Sequence, residues 1–318
     1  MAFPPFVNFT HNINNQYYHT MSITWTGVMP ATTTEFLSDG NVDHDFLTRH
    51  ANWLIDSGCT AIVCHGSLGE GATLSFEEKS AVQQTYVKAV GDRAPVIAGV
   101  AALTTADAVK LAQTAKANGC RALMVLPPYL YPSDWREMKT HMLAVINATD
   151  LPCIIYNNPV AYKTDFTPSQ IKEIADACPN AVAVKESSTD VRRIAEIREL
   201  CGDRLALGVG VDDCALEGAA MGAKFWIAGA VNGIPVESVK LWELGCAGEV
   251  EKAMPIYIWM LPLLRMDTVV KFVQLIKLIQ HKAGWGSNRV RGPRLELTGA
   301  ELAEAEQVIE KAFANRPS

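Results

Sequence analysis

The sequence predicts a (β/α)8 barrel with a C-terminal three-helix extension. Three observations carry that prediction. Eight short apolar runs, rich in β-branched residues, recur between residues 27 and 228. Longer helical patterns separate them, so the chain alternates strand and helix, as a parallel barrel requires. The first run ends Pro30-Ala31-Thr32-Thr33-Thr34, without the G-x-G-x-x-G turn that a doubly wound nucleotide-binding sheet would place there.

The candidate strands are 27–31, 61–64, 95–100, 122–126, 153–156, 181–185, 205–208 and 225–228. Several are near-continuous apolar runs, the pattern of strands buried on both faces. The helix at 45–57 puts Phe46, His50, Trp53 and Leu54 on one face. The helix at 75–90 opens with Ser75 and Glu78 at capping-box spacing. An Ala-rich helix at 105–118 stops before Gly119, and one at 132–148 follows the Tyr131-Pro132 turn. The helix at 167–178 carries Pro168 at its first position and is ended by Pro179. Helices at 189–201 and 212–221 end at Gly202 and Gly222. Past Gly248 the strand pattern stops, and 249–265, 267–283 and 299–314 read as amphipathic helices. The organisation expected is a tail over 1–22, a barrel over 23–248 and a helical extension over 249–318. Residues 1–20 have no periodicity, the first Lys or Arg is Arg49, and Met21 opens a stretch that reads like a start, so neither a secretory signal nor an Arg-rich transit peptide fits.

Composition narrows the function. With 49% hydrophobic residues the 318-residue chain can bury a sizeable core. A net charge of −6 argues against nucleic-acid binding, and no apolar run is long enough to span a membrane. Charged residues are 19%, a low share that suits a surface partly covered in a homo-oligomer, a dimer or a tetramer. The eight cysteines form no C-x-x-C pair and read as reduced, buried thiols of a cytoplasmic protein.

Barrels work at the C-terminal ends of their strands. The second strand runs into His65-Gly66-Ser67-Leu68-Gly69-Glu70, where glycines around a hydroxyl let backbone N–H groups converge on an anion. A tight turn explains the same glycines, and His65 reads as a packed histidine. Tyr129 follows the fourth strand and Tyr156 ends the fifth, and a phenol at the barrel mouth can pass a proton. The sixth strand, Ala181-Val182-Ala183-Val184-Lys185, ends a wholly apolar run with a lysine. Burial disfavours the ammonium and frees the amine as a nucleophile. Pairing with Glu186 does not account for it, because adjacent strand residues face opposite ways. No spacing suggests a metal site.

Together, Gly66-Ser67-Leu68-Gly69-Glu70, Pro128-Tyr129, Tyr156-Asn157-Asn158-Pro159, Val184-Lys185-Glu186 and Gly210-Val211-Asp212-Asp213 resemble the dihydrodipicolinate synthase/N-acetylneuraminate lyase family in order and spacing, from about residue 24 to 300. The resemblance implies a class I lyase in which Lys185 forms a Schiff base with a 2-oxo acid and Tyr156 transfers protons. It implies that Ser67, with Gly66 and the amides of Ser67 and Leu68, holds the substrate carboxylate, and that Ile227 lies over the substrate. Tyr129 takes the place of the synthases' relay tyrosine, which in many relatives is borrowed across a tight dimer from the neighbouring loop position, here Pro128. No metal or other cofactor is implied, and tetramers of tight dimers are common in the family.

Two departures matter. The usual Gly-Thr-Thr-Gly-Glu loop has Leu68 for its second hydroxyl, and Ala161 stands where a synthase carries an arginine for its second substrate. Stretches 124–131, 149–159, 184–193 and 210–215, with Arg291-Gly292-Pro293-Arg294-Leu295, resemble members that act as 1-pyrroline-4-hydroxy-2-carboxylate deaminases in hydroxyproline breakdown. That deaminase activity is the expectation. The alternatives are an aldolase or dehydratase for another 4-hydroxy-2-oxo acid or a deoxy sugar acid, a 4-hydroxy-tetrahydrodipicolinate synthase, and a non-catalytic 2-oxo-acid sensor.

Overall fold

The computed structural model describes residues 23–129 and 134–317. The tail expected over 1–22 and the first residues of the helix expected at 132 lie outside them. Eight parallel strands follow in turn: β1 (Gly27–Pro30), β2 (Ile62–Cys64), β3 (Val96–Val100), β4 (Ala122–Val125), β5 (Cys153–Asn157), β6 (Ala181–Glu186), β7 (Ala206–Val209) and β8 (Phe225–Ala228). Their order in the sheet is β1-β8-β7-β6-β5-β4-β3-β2. A parallel bridge between Ala31 and Val63 brings the two ends together. This is a (β/α)8 barrel, as its sequence pattern predicts.

The surrounding helices are α1 (His44–Asp56), α2 (Phe76–Val90), α3 (Thr105–Ala117), α4 (Trp135–Ile146), the one-turn α5 (Pro159–Tyr162), α6 (Pro168–Ala177), α7 (Arg192–Cys201), α8 (Ala215–Ala220) and α9 (Pro235–Cys246). The extension comprises α10 (Val250–Leu264), α11 (Phe272–Lys282) and α12 (Gly299–Ala314). The capping box at Ser75 and Glu78 forms, with both reciprocal bonds made. α7 starts three residues later than its pattern suggests, because Asp190 accepts from the Arg192 amide at 3.1 Å and holds a turn there. No helix was expected over 235–246. Its buried face carries Ser238 and Gly245 beside Leu241 and Trp242, so the apolar stripe is broken, and the Ser238 hydroxyl donates to the Ile234 carbonyl at 2.7 Å.

The core has two layers. One packs the helices onto the outer face of the barrel. The other fills the barrel with Met29, Ala61, Val63, Ile97, Ala183 and their neighbours. Strand side chains alternate, so inward Ile154, Ala183 and Phe225 put Tyr156, Lys185 and Ile227 on the inward face one step nearer the mouth. That parity, set by the strands alone, positions the site.

The extension is tied to the barrel by a buried ion pair. Lys277 on α11 lies 3.2 Å from Glu70 in the loop after β2, and its ammonium also donates to the Thr34 carbonyl at 2.7 Å. Glu70 further accepts the Arg291 amide at 3.0 Å. The loop that carries Ser67 is therefore held from behind by the C-terminal helices.

Candidate active site

A cavity of about 460 Å³ opens at the C-terminal ends of the strands. Lys185 and Tyr156 form its floor and are only 6% and 4% exposed. They are register partners on β6 and β5. The Lys185 ammonium nitrogen stands 4.3 Å from the centre of the Tyr156 ring. Burial lowers the Lys185 pKa, and the acidic groups around it, Tyr162, Asp267 and Asp212, offset only part of that shift. Gly210 makes room for this side chain: a Cβ there would lie 2.4 Å from Lys185 Cε and 2.2 Å from Ser187 Oγ. Glu186 faces the other way, accepting from Asn157 Nδ2 at 3.2 Å and the Ser188 amide at 2.6 Å.

Gly66, Ser67 and Leu68 line the same cavity from the loop after β2, and Ile227 lines it from β8. The loop needs its glycines: a Cβ at Gly71 would sit 2.1 Å from the His65 carbonyl oxygen, and one at Gly69 would sit 2.8 Å from that of Thr32. His65 is buried and pairs with Gln83 at 2.9 Å, and burial lowers its pKa to about 4. It is a packed neutral histidine behind the loop.

The phenol next to Tyr156 in this site is that of Tyr162, which the sequence reading did not single out. Tyr162 ends α5, and its hydroxyl bonds the Ser67 hydroxyl. Its ring stands edge-on to Tyr156 with centroids 5.8 Å apart. Tyr129 lies on its far side at 5.9 Å and is not among the residues lining the cavity. A chain of hydroxyls thus runs from Tyr156 through Tyr162 to Ser67. Burial raises the pKa of both phenols, so both hold their protons at neutral pH. Asn158, the N-cap of α5, donates to the Tyr156 oxygen at 3.0 Å and orients it.

Two carboxyls complete the surroundings. Asp212 is fully buried and accepts from Trp226 Nε1 at 3.0 Å, Gly229 N at 3.0 Å and Ala230 N at 2.7 Å. Burial still raises its pKa, to about 6, against those three donors. Asp267, from the turn between α10 and α11, lines the cavity beside Gly229. It arrives from the extension, where strand-end reasoning does not look.

At the rim, Ala161 lines the cavity, and no arginine does among the described residues. The other lysine among the lining residues is Lys163, whose ammonium folds back to donate to the Val160 carbonyl at 3.1 Å. Among the described residues no group of His, Cys, Asp and Glu could hold a metal ion, and no helix is long and apolar enough to cross a membrane.

A sequence profile of the dihydrodipicolinate synthetase family matches residues 24–312. The chain is 34% identical to a 4-hydroxy-tetrahydrodipicolinate synthase of Alcanivorax borkumensis, over 71% of this chain and 77% of that one. Its fold superposes on dihydrodipicolinate synthase from Aquifex aeolicus with a TM-score of 0.86 at 30% identity, covering 91% of this chain and 98% of that one. The Acinetobacter baumannii synthase complexed with pyruvate superposes with a TM-score of 0.87 at 26% identity, over 91% of this chain and 99% of that one.

Proposed function

The chain belongs to the dihydrodipicolinate synthetase family and is an enzyme of it, a lyase, and from that premise we propose that Lys185 forms a Schiff base with a small monocarboxylate 2-oxo acid or its cyclic imine, the preferred substrate being 1-pyrroline-4-hydroxy-2-carboxylate. The observation that carries this reading is the lining of the cavity. Ser67, with Gly66 and Leu68, shares it with Lys185, no arginine lines it among the described residues, and Ala161 stands where a synthase carries its arginine. A guanidinium grips a carboxylate with two parallel bonds, which Lys163 cannot reproduce as a point charge. The pyruvate in the Acinetobacter relative is itself a monocarboxylate 2-oxo acid, which supports the substrate class.

The chemistry follows from the groups in place. The Lys185 amine attacks C2 of the cyclic imine, and the ring nitrogen leaves as the C5 amine, which opens the ring. The iminium on Lys185 withdraws electrons from C3, so a C3 proton departs to the Tyr156 oxygen while that phenol passes its own proton toward Tyr162 and Ser67. Loss of the 4-hydroxyl as water follows. A proton shift from C5 then leaves an imine there. Hydrolysis at C5 releases ammonia, and hydrolysis at C2 frees 2,5-dioxopentanoate and Lys185. Tyr129, packed behind Tyr162, supports the relay from outside the cavity. Low charge and exposed apolar residues such as Leu103 and Ile258 support a homo-oligomer.

A second reading, condensation of pyruvate with aspartate semialdehyde, is favoured by the names of the relatives. One enzyme preparation separates them. We expect ammonia release from the pyrroline carboxylate to exceed condensation in kcat/KM, and Ala161→Arg to raise condensation by about tenfold or more, since a charge-assisted bond to the second carboxylate is worth about 1.5–3 kcal/mol. Faster condensation would overturn the deaminase reading, and pyruvate release from a 4-hydroxy-2-oxo acid in place of ammonia would make the enzyme an aldolase.

A further inference from the structure

We propose that Asp267 is the acid–base group for the oxygen on C4 of the substrate, the group that protonates the departing hydroxyl. This rests on the proposed reading that the substrate is bound through its carboxylate and C2. The first anchor is the Ser67 loop after β2, and the second is Lys185 on β6. Tyr156 serves C3 from β5. In that pose the atoms beyond C3 are assigned to the part of the lining built by Gly229, Asp267, Thr268 and Phe272, where the loop after β8 meets the extension.

Asp267 is the one carboxyl lining that cavity among the described residues. Its place depends on Gly229, where a Cβ would lie 2.2 Å from Asp267 Oδ1. Any side chain at 229 would occupy the space of the carboxyl. The acid lies near enough to Lys185, Tyr156 and Asp212 for each charge to act on the others.

The neighbouring acid assigns the proton. Asp212 accepts three N–H bonds, which favour its ionised form, whereas burial and the Asp212 charge push the Asp267 pKa well above the carboxylate range. Asp267 therefore stands ready as a donor. In the enamine on Lys185 the nitrogen pair re-forms the C2 iminium, the C2–C3 pair moves to C3–C4, and the C4–O bond breaks. The oxygen takes the Asp267 proton and leaves as water. Solvent at the mouth reprotonates the carboxylate. In a C3–C4 cleavage the same group runs in reverse, its carboxylate accepting the C4 hydroxyl proton while the bond pair returns to C3.

Two reactions of the same enzyme test this. Exchange of pyruvate C3 protons in D2O needs Lys185 and Tyr156 and no chemistry at C4. Ammonia release from 1-pyrroline-4-hydroxy-2-carboxylate needs both. Asp267→Asn is expected to keep exchange within about threefold and lose ammonia release by ~10²–10³, with Asp267→Glu recovering at least about tenfold of that loss. Ammonia release within threefold of wild type in the Asn variant would overturn the proposal, and so would an equal loss of exchange and release, which marks a structural role. If wild type releases pyruvate from a 4-hydroxy-2-oxo acid and no ammonia, the deaminase reading fails, and the same ratio measured on pyruvate release decides Asp267. Exchange without any C4 chemistry in wild type overturns both.

Discussion

Lys185→Ala is expected to lose turnover by about 10⁶-fold, the scale on which removal of a covalent nucleophile acts elsewhere. The size follows from the position. Lys185 is the lysine on the cavity floor, at the end of a strand whose inward neighbours are apolar. Burial holds its pKa down, so a larger fraction of the amine is free at neutral pH than for a surface lysine. Lys163, the other lysine of the cavity, sits at the rim with its nitrogen turned to the Val160 carbonyl, and cannot substitute. The check is steady-state ammonia release together with circular dichroism. The variant removes a buried ammonium and opens its space to the adjoining cavity, leaving the strand's apolar inward neighbours in place, and should fold. Residual turnover above about 10⁻³ of wild type would show that the iminium is not the route.

Tyr156→Phe is expected to cost ~10²–10⁴ in kcat while Schiff-base formation survives. The ring under the lysine remains, so the apolar packing of the barrel interior is kept. What goes is the hydroxyl that accepts from Asn158 and heads the chain to Tyr162 and Ser67. Burial and the bond from Asn158 hold that oxygen in one place, which is where positioned proton transfer draws its advantage. The measurement is the C3 proton exchange of pyruvate beside borohydride trapping. Exchange at the wild-type rate would move the proton-transfer role to another group, with Tyr162 the nearest phenol.

What could be read in the chain was what depends on strand parity. Eight apolar runs separated by helices give the barrel, and a lysine two residues past Ala183 is inward by alternation. Tyr156 is inward from Ile154 in the same way, whereas Ile227 and the loop residues Ser67 and Leu68 were expected from the family resemblance. Residues outside strands escape that rule. Tyr162 sits at the end of a one-turn helix whose register is set by the Asn158 cap and Pro159, so its direction is a property of the turn. An aromatic six residues past Tyr156 was the available signal. Asp267 was less accessible still. It lies in a 3-10 turn of the extension, and only the packing of that turn against Gly229 brings it to the barrel mouth. The unexpected α9 hid because Ser238 and Gly245 interrupt its buried face. Asp212 was visible inside its motif, but its role, accepting bonds from the loop after β8, depends on a contact between distant segments.

The proposed chemistry begins with a covalent bond at one nitrogen. Incubating the full-length enzyme with pyruvate, reducing with borohydride and mapping peptides by mass spectrometry reads that bond directly. The expected result is a single reduced adduct, on the peptide carrying Lys185, absent when either reagent is omitted. An adduct on Lys163 or any other lysine, or none with pyruvate or with the pyrroline carboxylate, would contradict it.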